Sequence, residues 1–449
     1  MALHRLAPEL LCMILSSLDS FQDLYSLIRA SPACLQAFRA CRRITLSSII
    51  RNVLLPESIH HALALLHIPK PPVGTDRPGL EETKAFLDHY LQAKPWSFPK
   101  DLSSTVSLTL LVARVTRFID RFFDSAMETL ATFRDHDASW PLSSTERARL
   151  QRAFLRFEIY CQVFPALKAN PLERFVSADF QFDYFLGRLE LWEVEELISV
   201  HQYFDLIVGR CIMDFEDEFV RTVLANPHLH APSNHHLQED LVDKQENSGT
   251  RTEGMQAIEM LDLTNLELFS TDCKSRLCEV AEYMVSLGLE FLEDLMSLDD
   301  KQRWDLIRRH SPFTRDFLCE AVQWTPRGAS DVVLPEGTFI DDSSLPSKGW
   351  IEFKGGPTTL CLSAVYRDSR DCILRPCGYV FWDSGRLLQP ALYEAFKKAD
   401  RMDRSALAKR CYDPTVGESA EKQLKGYRVP KSEWLKLESE FGSTWTIEL

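Results

Sequence analysis

Large apolar side chains recur every third or fourth residue through the middle of this chain, and that spacing constrains the fold more than any other feature. Leu111, Val115, Phe118 and Phe122 fall on one face at helical spacing, flanked by Ile119 and Phe123, while Arg114, Arg117, Arg121 and Asp124 take the other. Leu150, Phe154, Phe157, Cys161 and Phe164 repeat the pattern up to Pro165, and Trp192, Phe204, Val208, Cys211, Phe215 and Phe219 continue it through a strongly acidic stretch. A further stripe joins Leu277, Val280, Ala281, Met284, Phe291, Leu292 and Leu295, with Ser270 or Thr271 as its N-cap. A stripe of period 3.6 leaves water only when another element covers it. Several in succession predict helices packed on one another, a mainly α fold.

Punctuation divides the chain. Residues 1–69 read as a compact helical unit. PKPPVGTDRPG, around Lys70 to Gly79, holds four prolines and two glycines that deny the backbone a regular ladder, so 70–79 is expected to be a linker. The helical body runs over 80–328. Within it, residues 230–254 carry few large apolar groups and cannot offset the entropy of ordering themselves, which predicts a disordered loop. After Trp324 glycines, prolines and tryptophans become frequent and helical spacing fades until LYEAFKKADRM, so 329–449 is expected to be irregular and mostly helical, with little β. There GYVFWD, Gly378 to Asp383, is too short for a helix and reads as a strand or a buried corner. Gly378 also suits the position just past a helix end.

A chain of 449 residues exceeds what one hydrophobic core usually serves. Its formal charge is -14, and because the segment up to Pro69 has six arginines against four acids, the acidity lies wholly in the remainder. Such a body repels phosphate backbones, and no basic stripe interleaved with aromatics appears, which argues against a nucleic-acid partner. No run of eighteen apolar residues appears, which argues against a membrane span. Arg5 before an apolar run mimics a secretory leader, but Pro8 and Glu9 interrupt it and no small-residue cleavage site follows Leu18. The twelve cysteines are scattered and read as reduced thiols in a cytoplasmic or nuclear setting, where Cys12 and Cys34 survive exposure.

Groups able to carry chemistry are sparse. His228, His230, His235 and His236 crowd into nine residues, yet Glu239 and Asp240 complete no zinc-ligand pattern beside them. Cys273 with Cys278, and Cys372 with Cys377, lack a second pair at zinc-ribbon spacing, so no metal is expected. Glu190, Glu193, Glu195 and Glu196, then Asp214, Glu216, Asp217 and Glu218, are dense enough for acid–base work or for greeting a basic partner. Most alternate with the apolar stripe, which predicts a solvated helix face. KGGP, Lys354 to Pro357, lacks the ending of a phosphate loop, and no Gly-x-Ser-x-Gly elbow occurs. Trp350, Trp382, Trp434 and Trp445 are expected to fill a core before they line a recognition pocket. No nucleophile, base and oxyanion donor assemble in the pattern, which predicts neither an enzyme nor a cofactor.

The densest apolar row is LAPELLCMILSSLDSFQDLYSLIRASP, opening at Leu6. Leu6, Leu10, Leu11, Ile14, Leu15 and Leu18 cover a broad face of one short helix, with Pro8 suited to its first turn and Glu9 where the helix dipole favours negative charge. A second short helix starts near Asp23 and carries Leu24, Leu27 and Ile28 on one side. Two such helices hold more apolar face than roughly sixty residues readily hide from water, which predicts a docking surface.

The string resembles an F-box, whose pattern runs Leu-Pro-x-Glu-Leu-Leu, then Ile-Leu, Leu and Asp-Leu with further apolar positions. Leu6, Glu9, Leu10, Leu11, Ile14, Leu15, Leu18, Asp23, Leu24, Leu27 and Ile28 occupy matching places. Ala7 stands where the pattern has its first proline, with Pro8 beside it, and no tryptophan lies near Cys34 and Leu35. LIRASPACLQAF, ITLSSIIRNVLLPESIHHALALL and the later GYVFWDSGRL are similar to segments of the F-box-like proteins abundant in filamentous fungi. The resemblance implies that Leu6, Pro8, Glu9, Leu10, Leu11, Ile14, Leu15, Leu18, Leu24, Leu27 and Ile28 dock on the Skp-type adaptor of a cullin-RING ubiquitin ligase, while the rest of the chain grips an unknown protein substrate. Such a protein makes no bonds itself; it raises the effective concentration of a substrate lysine beside a charged ubiquitin-conjugating enzyme. Two alternatives stay open: a helical scaffold that has lost ligase docking, and a metal-dependent hydrolase using His228, His230 and neighbouring acids.

Overall fold

A computed structural model of the chain describes residues 6–70, 79–133, 140–165, 177–225, 281–309, 317–323, 341–353 and 374–400. Of these, 78% are helical and none lies in a strand, as the apolar spacing predicts. The helices are α1 (Pro8–Ser16), α2 (Phe21–Ala30), α3 (Pro32–Val53), α4 (Pro56–Ala64), α5 (Leu80–Leu91), α6 (Leu102–Ala131), α7 (Ser144–Val163), α8 (Ala178–Tyr184), α9 (Leu191–Ala225), α10 (Gly288–Ser297), α11 (Asp300–Arg309), α12 (Leu318–Gln323), α13 (Lys348–Phe353), α14 (Ser384–Leu387) and α15 (Pro390–Asp400). The expected linker falls largely, and the 230–254 loop wholly, outside the described residues.

Local chemistry sets where the central helices begin. The Asp101 carboxylate accepts the Ser104 amide at 2.7 Å to open α6. At the head of α7 the Ser143 hydroxyl and the Glu146 carboxylate satisfy each other's backbone amides, a capping box. The stripes read from the sequence then meet: Phe118 of α6 stands edge-on to Phe204 of α9 with ring centroids 5.0 Å apart, and Phe122 packs edge-on against Phe154 of α7. By length and composition α6 is, among the described residues, the one helix apolar enough to cross a membrane. Its stripe from Leu108 to Phe122 lies in the shared core, and on another side its Arg114 and Arg117 both bond Glu293 of α10.

The stripe from Ala281 to Leu295 is buried as expected, but it is not one helix. Gly288 takes a left-handed backbone, φ +84°, and breaks it. Glu158 of α7 reaches the break, where its Oε2 accepts the Leu289 amide at 2.7 Å. A Cβ on Gly288 would crowd that carboxylate at 2.9 Å, so both the turn and the close approach require glycine there.

The largest departure concerns the acids. Glu193, Glu195 and Glu196, expected on a solvated face, point inward: Glu195 and Glu196 are buried and Glu193 nearly so. The reason is α7, which is covered on its polar side as well as its apolar one. Its Arg152 bonds Glu196 at 2.6 Å and its Arg156 bonds Glu193 at 2.6 Å. A polar face can be buried only where each charge finds its counter-charge. Burial raises the Glu196 carboxyl above its ordinary range despite Arg152, whereas Arg156 and Arg152 overcome burial and hold Glu193 below it.

GYVFWD is the buried corner of the two expected alternatives. Gly378 is left-handed, φ +70°, and Tyr379–Phe381 form a single 3-10 turn. Trp382 and Trp350 are wholly enclosed in the core. Trp434 and Trp445 lie outside the described residues.

The N-terminal boundary also differs from expectation. Leu11, Leu15, Leu24, Cys34, Ala37, Leu46 and Ile49 form a small core of their own, but Ile50, Leu54 and the Ala62–Ala64 turn of α4 belong to the core of the body. Gln151 of α7 clasps the α3–α4 junction, donating to the Val53 carbonyl at 2.9 Å and accepting the Leu55 amide at 3.0 Å. α3 is long enough to serve both cores, with Leu46 and Ile49 in the small one and Ile50 in that of the body.

Two enclosed histidines give the fold an acid sensitivity. Burial holds His201 of α9 at about 3, and burial together with nearby Arg156 keeps His61 of α4, which shares a 2.8 Å bond with Tyr90, well below the usual range. In the unfolded chain both titrate near about 6.5. Below that pH the unfolded state binds protons that the folded state refuses. Their stabilisation is therefore complete above about pH 6.5 and declines as pH falls, by about 1.4 kcal/mol per pH unit for each histidine. Thermal melts between about pH 7.5 and 5 should show a falling midpoint, and His201→Phe should shallow the slope; an unchanged slope would show that His201 is protonated in the fold.

Candidate docking surface

α1 is held by both ends. Ala7 enters extended, Pro8 supplies the first helical turn, and Glu9 sits beside the positive end of the helix dipole. At the other end the Asn52 amide of α3 donates to the carbonyls of Ser16 and Leu18, at 3.0 and 2.8 Å. Ser20 and Ser31 cap α2 and α3 by accepting the amides of Asp23 and Cys34. These contacts set the rotation of α1 about its own axis, and the rotation decides which leucines face inward.

Leu11 and Leu15 are 3% and 0% exposed and, with Leu24 of α2, make the small core against α3. The sequence placed all three on the docking surface. They are anchors instead, because a face that holds α1 onto α3 cannot also meet a partner. Leu6, Leu18, Leu27 and Ile28 are half-buried at the edge of the same core. Pro8, Glu9, Leu10 and Ile14 turn outward.

The outward side is apolar too. Leu10, Met13 and Ile14 are 47%, 68% and 37% exposed. They stand at i, i+3 and i+4, the spacing at which helical side chains form one contiguous patch. Met13, the most exposed of the three, was missed from the sequence, where the large apolar positions matched were all leucine or isoleucine. Its place three residues after Leu10 was the available signal. A helix apolar all round is ordinarily buried all round, and α1 is covered on one side only. The Tyr25 ring of α2 and Ile44 of α3 are further exposed apolar groups of this unit, with Arg29 lying 5.2 Å over Tyr25.

Among the described residues the other charged constellations are internal ion pairs. Arg375 grips Glu195 at 2.6 and 2.7 Å, and the Tyr379 hydroxyl donates to the same carboxylate at 2.7 Å. Arg386 likewise grips Glu146 at 2.8 and 2.7 Å. Asp383 accepts from Arg149, Ser143 and Thr145. Each of these buried carboxylates accepts from a guanidinium. The polar members of the RPCGYVFWDSGRL segment thus fasten it to α7 and α9. Among the described residues no three histidine, cysteine, aspartate or glutamate side chains converge as a metal site. His228, His230, His235, His236, Glu239, Asp240, Cys273, Cys278, Cys372 and the KGGP stretch lie outside the described residues, as do the side chains from Asp214 to Glu218.

The chain matches no protein-family model, and no curated protein or solved structure is significantly similar to it.

Proposed function

We propose that this protein is a substrate-recruiting adaptor of a Skp-cullin-F-box ubiquitin ligase, working in the cytoplasm or nucleus. The outward face of α1 docks on the Skp-type subunit and the helical body binds a protein substrate. The observation that carries this reading is the two-sided apolar character of α1. Leu11 and Leu15 fix the helix while Leu10, Met13 and Ile14 stay uncovered, on the stretch whose residues follow the F-box pattern. The buried half of that pattern acts as a pedestal and the exposed half as the contact. Nothing in this role needs a nucleophile, a metal or a cofactor; the acceleration of ubiquitin transfer comes from proximity.

A second reading has its own support. α3 and α4 merge into the core of the body, and Leu11, Leu15 and Leu24 already serve the chain itself, as they would in a helical scaffold without ligase docking.

Capture of the full chain by a purified Skp-type adaptor separates the two. The intact chain should bind, and Leu10→Asp/Ile14→Asp should weaken binding by about tenfold or more for each anchor lost. Because both side chains are exposed, the thermal midpoint of the double variant should stay near that of the intact chain. Failure of the intact chain to bind would remove the ligase reading and leave the scaffold.

A further inference from the structure

Beside the outward patch, two thiols on different helices meet. The Cys41 thiol of α3 donates to the Cys12 sulfur of α1 at 2.7 Å, across a separation of 29 residues. Both sulfurs are half-buried, and both lie over one backbone oxygen, Ala37, at 3.0 Å from Cys41 and 3.6 Å from Cys12. The Thr45 hydroxyl completes the surroundings of Cys41 at 3.2 Å.

The meeting follows from a local break. Cys41 is the residue in α3 with non-helical dihedrals, φ -119° and ψ 25°, where two helical halves join. The sulfurs stand roughly 0.7 Å beyond disulfide bonding distance.

We propose that Cys12 and Cys41 form a thiol–disulfide exchange site whose co-reactant is a low-molecular-weight disulfide of the glutathione type. One protein thiolate attacks the small disulfide, forming a mixed disulfide and releasing one small thiolate. The second protein thiol gives its proton to solvent and attacks the first protein sulfur. The Cys12–Cys41 bond forms, the mixed bond breaks, and a second small thiol leaves. The protein loses two hydrogens and one small disulfide becomes two thiols, so atoms and electrons balance. The product ties α1 to the bend of α3. Close contact with the Cys41 thiol, and then burial, raise the Cys12 thiol to about 11, so the first attack is slow at neutral pH while the second is favoured by contact. The site therefore responds to sustained oxidising poise more than to a brief pulse. It does not depend on what covers Met13.

The test uses the full chain, folded and reduced, then held in oxidised glutathione, blocked with an alkylating agent and digested with trypsin. The expected product is the peptide from Leu6 to Arg29 joined to that from Ala40 to Arg42, in most of the molecules. Cys41→Ser should give instead a glutathione adduct on Cys12 or no product there, and Cys12→Ala should likewise abolish the cross-link. Amide exchange of the intact oxidised chain should slow in α1 about tenfold or more relative to the reduced chain. Recovery of both residues as alkylated thiols, or as separate glutathione adducts without the joined peptide, would overturn the proposal.

Discussion

Replacing Glu195 by alanine is expected to destabilise the folded chain by about 3–5 kcal/mol, because it breaks a buried ion pair from one side. Arg375 is wholly enclosed, and its Nε and Nη2 both end on Glu195. The Tyr379 hydroxyl shares that carboxylate. The truncation removes an acceptor from two neighbours at once while leaving the positive charge behind. Breaking a buried pair from one side costs more than the net worth of the pair itself. The double change Glu195→Leu/Arg375→Met removes both charges and keeps apolar bulk. It should recover most of the loss, since well-packed apolar groups often match a buried ion pair. Urea unfolding curves of the three variants read this directly. A loss below about 1 kcal/mol for Glu195→Ala would mean that water reaches the pair.

A second large effect is expected at Gly349, on α13 beside Trp350. A methyl group there would run into the backbone carbonyl of Tyr379, with the Leu387 side chain 3.6 Å away. The Gly349 amide also donates to the Trp382 carbonyl at 3.2 Å, so α13 and the 3-10 turn are in direct backbone contact. Backbone cannot rotate aside as a side chain can, and separating the two elements would open the packing around Trp350 and Trp382. Gly349→Ala should cost about 3 kcal/mol. Gly385→Ala is the matched control, because a methyl group there meets nothing within 4 Å. Its midpoint should move little. Equal effects at the two glycines would show that the alanine acts through the unfolded chain and not through this contact.

The RPCGYVFWDSGRL segment shows how far a sequence reading reaches and where it stops. The shortness of GYVFWD left a strand and a buried corner as alternatives, and the structure decided for the corner. That Arg375, Asp383 and Arg386 would find Glu195, Arg149 and Glu146 was not legible. Those partners lie at least 180 residues away in the chain, and a charged residue looks the same in sequence whether it faces water or a counter-charge. Glu193, Glu195 and Glu196 of α9 were misread for the same reason. Their alternation with the apolar stripe is real, but α7 and the C-terminal segment cover the side expected to face water.

At the amino end the division is finer. That α1 and α2 are short amphipathic helices, begun by Pro8 and near Asp23 and rich in leucine, could be read directly, and so could the surplus of apolar face. Which residues form that surplus could not be read, because the rotation of α1 depends on Asn52 and on the bend at Cys41, both in α3.

Sequence alone determined the mainly α character of this protein, since helical periodicity is a property of neighbours within one element. Only the tertiary structure decided that Leu11 and Leu15 are buried while Leu10, Met13 and Ile14 are exposed, and that the carboxylates of Glu195 and Glu196 lie inside. Burial is settled by what packs against an element, and those contacts come from distant parts of the chain.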